Sequence, residues 1–141
     1  MTFDFKVIGH PLTSPELDAF EAGAKLRLPP QYRAFLLRNN GCLPDGMVSV
    51  AGFDVDVSEF YPLYDPRRSS RATVIHWNRD LIWFAGDSGG GEYGIAHTGA
   101  CFGQVFWFDT PHSEILEPGP GDARKVAQTF DAFIASIDPM S

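Results

Sequence analysis

The sequence predicts an α+β fold: helices packed around a mostly antiparallel twisted sheet. Three observations lead there. Leu28–Gly41 (LPPQYRAFLLRNNG) reads as one short helix with a clear start and stop. Leu81–Ala96 reads as an apolar strand, a Gly-rich turn and a returning strand, which makes a hairpin. Apolar residues recur at helical spacing near the end of the chain. Helices, then strands, then a helix is the order of an α+β domain rather than of alternating βαβ units.

The elements follow in chain order. Phe3–Ile8 alternates enough for a short strand or a packed extended arm. Pro15–Lys25 is predicted helical, with Ser14 as its cap, Pro15 in the first turn, and Glu16 and Asp18 at the positive end of the dipole. Leu17, Phe20 and Ala24 form its apolar face. In the next helix, Pro29 and Pro30 set the backbone angle where it begins. Tyr32, Phe35 and Leu36 fall on one face, Arg33 and Arg38 lie off that stripe toward solvent, and Asn39, Asn40 and Gly41 form the stop. Met47–Val57 reads as one or two strands punctuated by Gly52, and Glu59–Arg71 as a loop holding Arg67, Arg68 and Arg71. Ser70–Asn78 reads as a short helix. Leu81–Ala85 and Glu92–Ala96 are strands joined by the turn Gly86–Gly91, and Val105–Asp109 is an aromatic strand. After a turn at Pro118–Gly121, the spacing of Val126, Phe130, Phe133, Ile134 and Ile137 predicts a helix over Asp122–Ile137.

The chain has 141 residues, the size of a single domain spanning 1–141, with 44% hydrophobic and 13% aromatic content, enough for a real core. Nothing approaches the ~20 apolar residues of a membrane-spanning helix. The start, MTFDFKVIGHP, lacks the basic and long apolar segments of a signal peptide, so the expected compartment is the cytoplasm. Cys42 and Cys101 are too few for a disulfide framework. The net charge of −7 argues against a nucleic-acid binder, which needs a basic stripe. Asp80–Asp122 holds seven acids and no Lys or Arg, and Asn39–Pro66 holds five acids and again no base. Such a surface attracts a basic partner; it is also what a merely soluble surface looks like.

Gly86-Asp87-Ser88-Gly89-Gly90 is similar to the nucleophile segment of trypsin-like proteases. That chemistry needs a His beside the Ser and a carboxylate orienting the His. The chain is too short for a two-barrel protease, and neither His10 nor His76 stands in a matching context, so a Gly-rich hairpin turn is the better reading. The segment also lacks the Lys of a phosphate loop. His10, His76, His97 and His112 show no metal-ligand spacing, and no CxxC occurs, so neither a metal nor a cofactor is expected. His112 near Asp109 and Glu114 forms either an acid/base cluster or a solvated loop. Asp54 and Asp56 share one face of a strand as a solvating or an acid/base pair. Alternation puts Phe106 and Phe108 on one face of their strand and Trp107 on the other. An outward Trp107 flanked by acids suits a binding hot spot, and the candidate partner-binding residues are Asp87, Glu92, Trp107, Asp109 and Glu114.

Four segments together resemble the SMI1/KNR4 family of the SUKH superfamily. They are Leu28-Pro29-x-x-Tyr32-x-x-Phe35-Leu36-x-x-Asn39-Asn40-Gly41, the strand–turn–strand Phe84–Ile95, Gly103-x-Val105-x-Trp107-x-Asp109, and Thr129-Phe130-x-x-Phe133-Ile134. Where that family often has two glycines after the helix pair, this chain has Gly41-Cys42, and Glu59–Arg79 matches no family segment. The resemblance implies an α+β domain without catalytic apparatus. It implies an immunity protein that binds and neutralises a cognate toxin, for which the acidic stretches suggest a basic one such as a nuclease. The alternatives are a scaffold or regulatory domain with a non-toxin partner, or a small hydrolase or metal-dependent enzyme built on His112 and Asp109.

Overall fold

In a computed structural model of the chain, the structure describes residues 5–7, 11–44, 46–63, 75–109 and 123–139. The elements are β1 (Phe5–Val7), α1 (Ser14–Ala24), α2 (Pro30–Arg38), β2 (Cys42–Pro44), β3 (Val48–Val50), β4 (Glu59–Phe60), β5 (His76–Trp77), β6 (Leu81–Gly86), β7 (Glu92–Ala96), β8 (Val105–Phe108), β9 (Arg124–Ala127), α3 (Phe130–Ala135) and β10 (Ile137–Pro139). The fold is α+β, as the sequence predicts. The main sheet runs β1-β2-β4-β6-β7-β8-β9, with β5 sharing the β4 edge of β6, and every described pairing is antiparallel. A second, two-stranded sheet pairs β10 with β3.

The start of α1 is a capping box, one residue earlier than expected. Thr13, not Ser14, is the cap: its Oγ1 accepts from Glu16 N–H, while the Glu16 carboxylate accepts from Thr13 N–H at 3.0 Å. Arg33 does not point into solvent. Its guanidinium reaches back to α1, with Nη2 2.6 Å from Asp18 and Nε 3.3 Å from Glu21. The stop after α2 also works differently from expectation. Asn40 is buried, and its Oδ1 accepts from Leu63 N–H at 2.8 Å, which ties the helix end to the segment after β4. Gly41 alone takes the left-handed conformation (φ +81°), and a Cβ there would lie 2.8 Å from the Pro62 ring.

Two corrections concern elements. The predicted helix over Asp122–Ile137 is only α3, six residues long; Arg124–Ala127 is a strand on β8, and Ile137 begins a strand on β3. The four-residue step from Val126 to Phe130 imitates a helical repeat, but both side chains reach the core from different elements. The predicted Ser70–Asn78 helix lies partly outside the described residues, and where it is described, His76–Trp77 is a strand on β6. Arg67, Arg68, Arg71, His112 and the Pro118–Gly121 turn lie outside the described residues.

The main core lies between the sheet and the helices. Tyr32, Phe35, Phe60, Phe84, Tyr93, Phe130 and Phe133 interlock there, with ring centroids 5.1 Å apart for Phe35–Phe130 and 5.2 Å for Tyr93–Phe133. A smaller cluster of Leu81, Trp83, Ala96, Phe106 and Phe108 covers the opposite face. Phe106 and Phe108 thus share one face of β8, as alternation predicts, and Trp107 takes the other.

Candidate functional site

Between β3 and the β6–β7 turn lies an open cleft of about 340 Å³, lined by Ser49, Asp54, Val55, Asp56, Asp87, Ser88, Gly89 and Trp107. Two local structures build it. The first is the hairpin Val48–Val57, closed by Val57 N–H to Val48 O at 3.3 Å and Val50 N–H to Val55 O at 3.0 Å. It brings Asp54 and Asp56 to the cleft, and its Asp56 carbonyl accepts the Tyr93 hydroxyl at 2.6 Å, which fastens the hairpin to the sheet.

The second is the turn from Asp87 to Gly91. Asp87 Oδ1 accepts from Gly89 N–H at 2.9 Å and Gly91 N–H at 2.7 Å, and Oδ2 accepts the indole N–H of Trp107 at 2.8 Å. One carboxylate therefore orders the turn and orients the aromatic wall. Gly91 permits this approach: a Cβ there would collide with the Asp87 carboxylate and lie 2.6 Å from Phe108 O. The two parts are joined by Ser88 N–H donating to Asp56 Oδ1 at 3.1 Å.

The charge of the cleft is negative. Asp54 is exposed and has no hydrogen-bond or ion-pair partner among the described residues. Burial, followed by the negative charges of Asp87 and Asp56, drives the Tyr93 hydroxyl far above its usual range, so it remains a neutral donor. Arg124, the register partner of Trp107 on β9, brings a cation to the aromatic wall. Its guanidinium carbon lies 5.3 Å from the Trp107 ring centroid and 5.6 Å from that of Phe53.

The five candidate partner-binding residues are not all brought together. Asp87 and Trp107 meet in the cleft. Asp109 is exposed just beyond β8. Glu92 stands on the other side of β7 from Tyr93, buried, where its carboxylate accepts the Tyr61 hydroxyl at 3.1 Å. Glu114 lies outside the described residues. The paired acids Asp54 and Asp56 do not share a strand, since Asp54 sits in the hairpin's bend and Asp56 makes a single bridge to Ser49, but both line the cleft. Their meeting with Asp87 depends on packing between distant segments, which spacing does not reveal. Among the described residues, those lining the cleft with Ser88 of the protease-like segment include Asp54, Asp56 and Asp87 and no histidine. Among the described residues, no group of three or more His, Cys, Asp or Glu is placed to hold a metal, and no helix is long and apolar enough to cross a membrane.

The model of the SMI1 / KNR4 family (SUKH-1) matches residues 11–136. The chain belongs to the SMI1/KNR4 family. The match spans α1 through α3 and includes every residue of the cleft in this SMI1/KNR4 domain. No curated protein and no solved structure matches the chain significantly.

Proposed function

We propose that this SMI1/KNR4 domain is a non-enzymatic binding protein of the immunity type, which holds and neutralises a basic cognate toxin in the cytoplasm. The observation that carries the reading is the cleft itself: a half-buried tryptophan, locked in orientation by an aspartate, set among further carboxylates. Pre-oriented aromatic side chains anchor protein interfaces. Surrounding acids speed encounter with a basic partner. Family membership and the net charge of −7 support the same reading. Asp87 and Trp107 form the centre of the proposed interface, with Asp54 and Asp56 at its lip. Glu92, buried beneath Tyr61, serves the fold.

The test is affinity capture from lysate of the source organism, with mass spectrometry of what is retained. A retained protein carrying a toxic C-terminal domain supports the reading. Retention of housekeeping enzymes alone supports a scaffold role instead. With the partner in hand, Asp54→Lys is expected to slow association several-fold and flatten its salt dependence, with melting unchanged because Asp54 is exposed. Association rates equal to the parent's would reject this face.

A further inference from the structure

We propose that the cleft between the Val48–Val57 hairpin and the Asp87–Gly91 turn receives a single arginine side chain presented by the protein partner. This rests on the binding reading above and names the chemistry that the cleft selects.

The cleft is mainly apolar in its walls, with Val55, Gly89 and the Trp107 ring, and acidic at its edges. An occupant must therefore carry both a long apolar stem and a positive end. The indole N–H of Trp107 is already spent on Asp87, so the ring offers only its π surface and edge. A flat guanidinium stacks on such a surface, whereas an ammonium is a compact and strongly hydrated point charge. The hydrogen-bonding capacity agrees. Among the described residues Asp54 has no partner, and Asp56 uses Oδ1 for Ser88 N–H and has no partner on Oδ2. Two carboxylates with open oxygens suit the several N–H donors that a guanidinium presents in a fixed fork. A metal is a poor candidate, because no suitable group of three ligands exists among the described residues.

A separate observation points the same way. The chain's own Arg124 already lies against this wall, with its guanidinium over both Trp107 and Phe53. The Trp107 ring thus accepts a guanidinium within the free protein, and among the described residues Arg124 forms no hydrogen bond or ion pair with the cleft acids that would neutralise them.

The experiment titrates ¹⁵N-labelled protein with N-acetyl-arginine amide. N-acetyl-lysine amide and sodium chloride at matched ionic strength serve as references. The Trp107 indole N–H and the Ser88 and Gly89 amides are expected to shift saturably with the arginine amide alone. Asp54→Asn combined with Asp56→Asn is expected to weaken that binding by roughly fivefold. Asn at position 56 keeps the Oδ1 that Ser88 uses, so the melting temperature should not move. Shifts that fail to saturate, or that lysine amide or salt reproduces, would overturn the proposal. The same double variant is then carried into partner capture. Undiminished partner retention also overturns it, while leaving the binding-protein reading intact. Selective arginine binding with no protein partner retained supports the cleft's chemistry and removes the binding-protein reading.

Discussion

Asp87 does more with one side chain than any other residue at the cleft. Its carboxylate takes two backbone N–H groups of its own turn and the indole N–H of Trp107, twenty positions away in sequence. The arrangement requires that position 91 have no side chain. Gly91→Ala would push a methyl group into the Asp87 carboxylate and to 3.0 Å from Trp107 Nε1. The substitution is expected to cost about 1–3 kcal/mol through overpacking, and to move the Trp107 indole N–H resonance as its hydrogen bond is displaced. Urea denaturation and a ¹⁵N spectrum check both parts; parental stability with an unmoved indole signal would refute the account. The Gly-rich turn was readable in the sequence, because its glycines and polar residues are local signals. The bond to Trp107 was not readable, since only the pairing of β7 with β8 brings Phe108 and Trp107 alongside Gly91.

Local signals also explain which elements the sequence predicts well. α1 and α2 carry their own starts, a capping box and a proline pair, and their bounds fall within a residue or two of expectation. β7 falls on its predicted bounds because the Gly-rich turn before it marks its start, and all five of its residues are buried. The C-terminal region fails for a physical reason. Arg124–Ala127 has no strong strand propensity of its own, and it is extended because β8 offers an open edge with Val105, Phe106 and Trp107 in register. Tertiary pairing overrides the apparent 3.6 period there. The short α3 that remains depends on its cap, Thr129, whose Oγ1 accepts from Ala132 N–H at 3.1 Å. Thr129→Ala is expected to destabilise the protein by about 1 kcal/mol, and Thr129→Ser to recover most of it. Chemical denaturation of the pair is the check, and an alanine variant as stable as the parent would show that packing of Phe130 and Phe133 alone holds the helix.

At the scale of the whole molecule, the burial of its phenols and of one thiol leads to an expected loss of stability in alkali. The core holds phenols and a thiol that must remain neutral. Burial drives the Tyr32 hydroxyl far above its usual range, and burial together with the Glu92 carboxylate does the same for Tyr61. Tyr93 is raised by burial and by Asp87 and Asp56, and the Cys42 thiol is pushed up by burial to about 12. In the unfolded chain the thiol ionises near pH 9 and the phenols near pH 10. Above those values the unfolded state releases protons that the folded state retains. Stability is therefore full below about pH 9 and falls as pH rises toward the folded-state values, with a fully buried phenol such as Tyr32 contributing about 1.4 kcal/mol per pH unit in that window. Urea denaturation at pH 8 and pH 10.5 is expected to show the loss, and equal stability at both would contradict it. Tyr32→Phe separates this effect from general alkaline damage. The Tyr32 hydroxyl is buried and has no hydrogen-bond partner among the described residues, so its removal leaves no described group unsatisfied and relieves one that is. The variant is expected to match or exceed the parent at pH 8 and to lose less between pH 8 and pH 10.5. A parallel decline in both proteins would assign the alkaline loss to the remaining phenols and the thiol, and remove Tyr32 from the account.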